Sequence, residues 1–282
     1  MTQRIPPLPR PRTVADAVEA AGQALREHRL DEAERLARYV LKSNGAHVDA
    51  ARILGYSLVK QGRFGEAVEA LKHPARRSQS SELEALQARA LTKASRKEEA
   101  VAVLRRAITR RPPFSLAFVQ LAELLDEEDA AAEAADVLKA GLAICPGDTI
   151  LSMGLGYHHL HWGERAAARR CFADVHAAHP QRRDAMLALA GVLAQDGEHL
   201  AAAALYERAL LEAPQDGLSR IALARCLLEA DRRSAGEVQL RVAVRNDPRL
   251  WGLAASAESA VGTAGRLFLS PGRARAHLRL PP

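Results

Sequence analysis

Aromatic residues make up only 4 % of the 282-residue chain. A core must then be built from Leu, Ala and Val, which suits closely packed helices and argues against a sheet of aromatic and β-branched side chains. Cysteine is almost missing. Cys145, Cys171 and Cys226 are odd in number and far apart, a reduced intracellular usage rather than a disulfide framework. No stretch approaches the ~18 uninterrupted apolar residues of a membrane-spanning helix. The opening MTQRIPPLPRPRT has no apolar run, so no secretory signal is expected and the cytoplasm is the expected location. Catalytic signatures are missing too: no Gly-rich phosphate loop, CxxC, HExxH or GxSxG occurs. No catalytic residue, cofactor or metal is expected, and the chain reads as a non-enzyme.

The body also lacks net charge. The whole chain carries +6, but Arg4, Arg10 and Arg12 supply +3 before residue 14. Arg266, Arg273, Arg275 and Arg279 against Glu258 supply +3 after residue 250, which leaves 14–250 neutral. A compact basic domain would suggest nucleic acid. With the basicity confined to two tails, nucleic-acid binding is not expected.

What the chain does have is a period. Pro112, Pro146, Pro180, Pro214 and Pro248 recur every 34 residues, and a fixed spacing of that length marks a repeat architecture. Seven units follow: 14–47, 48–80, 81–114, 115–148, 149–182, 183–216 and 217–250. Each reads as two amphipathic helices closed by a stop, Pro in the later units and Asn44-Gly45 in the first. Within a unit the eighth position is always small (Ala21, Gly55, Ala88, Ala122, Gly156, Ala190, Ala224). So is the twentieth (Ala33, Ala67, Ala100, Ala134, Ala168, Ala202, Gly236). A large side chain at either place would hold two antiparallel helices apart. The seventh position is a mostly apolar knob, with Gln87 the polar member, and the twenty-fourth is apolar throughout.

Flanking the repeats, residues 1–13 read as a Pro/Arg-rich tail with Thr13 capping the first helix and Asp16 near its positive end. Residues 251–282 read as a capping helix led by Trp251, then a basic tail. In the second repeat, Pro74 predicts a short second helix and a loose connection through ARRSQSS.

Leu155-Gly156, Gly163, Ala168, Phe172 and Pro180 in one 34-residue unit resemble the tetratricopeptide repeat. The family implies an all-α, right-handed superhelical solenoid of helix-turn-helix units, here seven plus a capping helix. The large aromatic frequent early in the first helix of such repeats is mostly replaced: Ala17, Ala51, Glu84 and Arg220 stand there, with Phe118 and Met186 nearest to it. The Ala- and Arg-rich composition is similar to that of proteins from GC-rich bacteria.

The resemblance implies a protein or peptide partner in a concave groove lined by first helices. By repeat phase, the second, fifth, ninth, twelfth and thirteenth positions face inward and form three zones. A basic zone holds Arg52, Tyr56, Lys60, Arg89 and Lys93. An acidic zone holds Glu123, Asp126 and Glu127. An apolar zone holds Met153, Tyr157, His161 and Leu187, with Ile150, Leu160 and Ile221 beside them. Such zoning suits an extended or helical segment, anchored at the apolar end and oriented by charge. A chaperone-tail clamp of the kind found in the family is not matched, because Tyr56 and Glu82 stand where it wants Asn and a polar or basic group. Two other readings follow: an accessory region to a sulfotransferase or glycosyltransferase, and a self-assembling scaffold whose dimers form through Trp251 or the second repeat. The oligomeric state expected of the chain is a monomer or a weak dimer. In Tyr157-His158-His159-Leu160-His161-Trp162, His158 and His161 are expected on one surface face and His159 in the core. A metal there would need His176 or His179 from another helix.

Overall fold

The computed structural model describes residues 13–260; the expected Pro/Arg tail before Thr13 and the basic tail after residue 260 lie outside them. The described residues form α-helices and one short 3₁₀ turn, Pro248–Leu250, and no strand. Within each unit consecutive helices pair. They are α1 (Val14–Arg26) with α2 (Leu30–Ser43), α3 (Val48–Lys60) with α4 (Phe64–Ser78), α5 (Ser81–Lys93) with α6 (Lys97–Ala107), and α7 (Ser115–Glu127) with α8 (Ala131–Ile144). Then follow α9 (Thr149–His161), α10 (Arg165–Ala178), α11 (Arg183–Gln195) with α12 (His199–Glu212), α13 (Gly217–Glu229) with α14 (Arg233–Asn246), and finally α15 (Trp251–Ala260). The chain divides after His158 into two compact units.

The pairing follows from the small positions. Every residue at the eighth and twentieth positions is buried. The closeness is visible where the residue is glycine. A Cβ added to Gly55 would sit 2.7 Å from Leu86 Cδ2 and 2.9 Å from Leu71. One added to Gly236 would lie 2.7 Å from Leu228 Cγ. The twenty-fourth position, from Ala37 to Leu240, is buried in all seven repeats and fills the space between partners.

A second regularity closes each first helix. At the fifteenth position the backbone is left-handed in every repeat: His28, Gly62, Ser95, Asp129, Gly163, Gly197 and Asp231 all have positive φ. The next residue's N–H then donates back to the carbonyl five residues earlier, as in Arg63 to Leu58 at 2.9 Å and Ala130 to Leu125 at 2.9 Å. This is the Schellman closure, which satisfies a helix-end carbonyl and turns the chain sharply. Thr13 and Asp16 form a reciprocal capping box at the start of α1. Asp148 and Asp216 accept N–H groups of the first turns of α9 and α13.

Repeat two departs from expectation. Pro74 does not end its second helix: α4 runs on to Ser78, and the connection is only Gln79, left-handed at φ 52°, and Ser80, which caps α5. A proline inside a helix forfeits one N–H bond. Here Pro74 and Ala75 are buried, Ala75 in a cluster with Leu71, Leu83 and Leu86. That burial offsets the lost bond, so the joint is tight.

In the first unit one continuous core runs from α1 to the start of α9. The first helices lie side by side, α1 on α3, α3 on α5, α5 on α7. In the second unit α15 lies on α13 and α14, and Trp251 is half-buried against the cluster of Ala224, Leu228, Leu240 and Val244. Ion pairs also join consecutive repeats. Glu34, at the twenty-first position of repeat one, meets Arg63, at the sixteenth of repeat two, at 2.6 Å. Arg169 and Glu198 meet at the same two positions of repeats five and six, with the signs exchanged.

Candidate binding surface

The first helices of the first unit present one side to their neighbours and another to solvent. Exposure sorts the five expected inward positions into two groups. The thirteenth is exposed in every repeat, including Lys60, Lys93, Glu127 and His161. The ninth is exposed at Arg89, Glu123 and Tyr157 and half-buried at Tyr56. The second carries exposed Asp49, Leu116, Ile150 and Leu218. The fifth and twelfth turn instead into the seams between adjacent helices. Met153 is 5 % exposed and Asp126 is 8 % exposed. Leu187 and Arg52 are half-buried. The reason is visible at the α7–α9 seam, where a Cβ added to Gly154 would be 2.9 Å from Val119 Cγ2. Met153 and Asp126 are thus core residues, and the expected solvent-facing stripe narrows to the second, ninth and thirteenth positions.

Asp126 has a structural partner. Its carboxylate takes His158 Nδ1 at 2.8 and 3.1 Å. A carboxylate only accepts, so Nδ1 carries the proton in this pair. This reverses the expected order of the histidines: His158 is the buried one, at 6 % exposure, whereas His159 is half-buried and bonded to Glu164 at 2.6 Å. The tenth position is buried at Ser57, Ala90 and Leu124 as well. In the second unit, His161 is exposed and stands edge-on to Trp162, with ring centroids 5.4 Å apart. Among the described residues no three His, Cys, Asp or Glu side chains gather as a metal site.

The electrostatics of the first unit separate held charges from available ones. Arg52 is engaged by Asp49 at 2.7 Å and lies 3.6 Å from Glu82. Lys60, Arg89 and Lys93, on the adjacent helices α3 and α5, have no ion pair among the described residues. On α7, Glu127 is taken by Lys97 at 2.6 Å. Loss of hydration and then repulsion from Glu127 and Asp126 push the Glu123 carboxyl above its ordinary range. At the ninth and thirteenth positions the exposed side chains thus run from cationic on α3 and α5, through anionic on α7, to Tyr157, half-exposed at 51 %, on α9.

Two features gave no sequence signal as a site. Glu84 replaces the early aromatic of its repeat and is fully buried, bonded by Arg106 Nε at 2.7 Å and Arg110 Nη2 at 3.2 Å. Gln87 is buried one helical turn further on.

Two family models match. One, described as anaphase-promoting complex, cyclosome, subunit 3, matches residues 26–107, and a tetratricopeptide repeat model matches residues 86–149 and 153–217. The chain is a tetratricopeptide repeat protein. No curated protein matches it. Among solved structures, human IFIT1, in a dimer with m7Gppp-AAAA, is similar over 91 % of this chain and 64 % of its own, with 14 % identity and a TM-score of 0.65. The APC/C hetero-tetramer Cut9-Hcn1 is similar over 94 % of this chain and 52 % of its own, with 15 % identity and a TM-score of 0.60. A thermophilic TPR protein of Thermus thermophilus is similar over 64 % of this chain and 99 % of its own, with 20 % identity and a TM-score of 0.54. The chain therefore spans about two thirds and about half of the first two proteins. At these identities the likeness concerns the fold. Tetratricopeptide repeats typically serve as protein-interaction or scaffold modules rather than as enzymes. Among the described residues no helix is long and apolar enough to cross a membrane.

Proposed function

We propose that this tetratricopeptide repeat protein is a non-enzymatic adaptor that holds a polypeptide segment against the exposed faces of its first helices. The observation that carries the reading is the set of unpaired cations Lys60, Arg89 and Lys93 on two adjacent helices, next to the carboxylates of α7 and the half-exposed Tyr157. An exposed cation without a partner keeps its full charge available to a ligand, and charges in ordered zones fix direction and register more than affinity. The partner is a segment with an acidic stretch for α3 and α5, a basic residue for α7 and an apolar or aromatic residue for Tyr157. Such a segment docks as an extended strand or an amphipathic helix.

Selection from a random peptide display library on the intact protein tests this. The expected result is enrichment of peptides with an acidic run followed by a basic and an apolar residue, and their loss on Arg89→Glu/Lys93→Glu. Peptides without acidic residues, or equal retention by a folded double variant, would remove the basic zone from the site.

A further inference from the structure

The second position of each repeat lies at the start of its first helix, and in the first unit these residues form a row. It reads Ala15 on α1, Asp49 on α3, Glu82 on α5, Leu116 on α7 and Ile150 on α9. All are exposed except Glu82, which is half-buried. The row has an order: small, acidic, acidic, apolar, apolar. Its acids are in excess of the cation beside them. Arg52 donates to Asp49 at 2.7 Å and stands 3.6 Å from Glu82, beyond hydrogen-bond length, so one guanidinium serves two carboxylates. No side chain caps the start of α7, and a helix start offers N–H donors that have no partner within the helix.

The stretch of chain that enters α1, at the small end of the row, has the matching order. Counting back from Thr13, the cap of α1, come Arg12 and Arg10, then Leu8 and Ile5. Cations come first and aliphatic side chains after them, as acids precede apolar residues in the row. The reach agrees as well. Packed helices lie about 8–10 Å apart, which sets α3 one such step from α1 and α7 three steps, or ~27 Å. A proline-rich segment advances ~3.1 Å per residue, so Arg10 can stand ~9 Å from Thr13 and Ile5 ~25 Å. Pro6, Pro7, Pro9 and Pro11 carry no N–H. The segment therefore brings carbonyl acceptors to the helix starts and few donors that contact would leave unmet. The opposite ends of the same helices disfavour it, because Arg26, Lys60 and Lys93 are exposed there and repel a cationic segment.

We propose that residues 5–12 of this same chain lie across the starts of α1, α3, α5 and α7 as a strap. Arg10 and Arg12 meet Asp49 and Glu82, and Ile5 with Leu8 covers Leu116. The strap leaves the ninth and thirteenth positions uncovered, and its placement does not depend on what they bind.

Thiol cross-linking in the full chain tests this. Ile5→Cys/Leu116→Cys puts two thiols where the strap brings them together. Ile5→Cys/Tyr39→Cys puts the second at another exposed site of the same unit, on α2, the helix paired with α1. Under mild oxidation, with linked peptides identified by mass spectrometry, the first pair should close within one chain about tenfold faster than the second. Arg10→Glu/Arg12→Glu alters only the segment and should bring the first pair down to the rate of the second. A link that joins two chains would assign the occupant to a second copy and overturn the strap. Equal rates for the two pairs, or a rate indifferent to the charge reversal while melting is unchanged, would overturn it as well.

Discussion

At the fourth and seventh positions repeat three carries Glu84 and Gln87, where repeat four carries Phe118 and Leu121. All four side chains are buried. In repeat four the solution is volume: Phe118 fills the space left by Gly141, where an added Cβ would lie 3.1 Å from the Phe118 ring and 3.0 Å from Leu151. In repeat three it is charge: Glu84 is matched by two arginines from α6 and the stretch that follows it. Burying a carboxylate costs several kcal/mol, and a well-placed ion pair only about offsets that. A buried aromatic side chain contributes roughly 2–3 kcal/mol outright. Yet both repeats share the same helix pairing, because spacing is set by Ala88 with Ala100 and by Ala122 with Ala134. The small positions fix the geometry and leave the fourth and seventh free to vary in chemistry.

The largest expected effects test the two solutions against each other. Arg106→Ala/Arg110→Ala strands the Glu84 charge and should cost about 3–5 kcal/mol in urea unfolding. Phe118→Ala should cost a similar ~3–5 kcal/mol by opening a cavity. A near-neutral arginine double variant would mean that water replaces the guanidinium groups at Glu84, and the contrast would fail. Next in size, Ala100→Leu and Ala134→Leu should each cost about 1–3 kcal/mol by overpacking. A large cost in one repeat and none in the other would show that the small positions do not act alike.

Much of this was legible in the sequence, for a physical reason. The period, the small positions, the Thr13 cap and the proline stops are signals contained within one helix pair. What failed depended on neighbours. Pro74 reads as a breaker until the packing around Ala75 is known. His158 and His159 exchange roles because Asp126, thirty-two residues earlier, reaches only the first. Asp126 and Met153 read as groove residues until the seam between adjacent first helices shows that the fifth and twelfth positions are taken. The left-handed fifteenth position was hidden because only three of its seven residues are glycine.

Smaller effects sharpen the contrast. Gln87→Leu should raise stability by about 1 kcal/mol, since it removes an unmet buried acceptor; a loss of stability would mean that the oxygen has a solvent partner. At the left-handed turns, Ser95→Gly in repeat three should gain about 0.5 kcal/mol and Asp129→Gly in repeat four less, because Asp tolerates that conformation better than most side chains. Equal melting shifts would deny that difference.

The exchanged signs of the Glu34–Arg63 and Arg169–Glu198 pairs bear on how such a chain can change in length. A deletion joining repeat one directly to repeat six keeps the 34-residue phase and all the small positions. It would nevertheless set Glu34 beside Glu198. Joining repeat five to repeat two would set Arg169 beside Arg63. Units that look interchangeable by helix packing therefore carry polarity labels at their junctions, and whole-repeat shuffling is penalised at those seams even where the backbone would accept it.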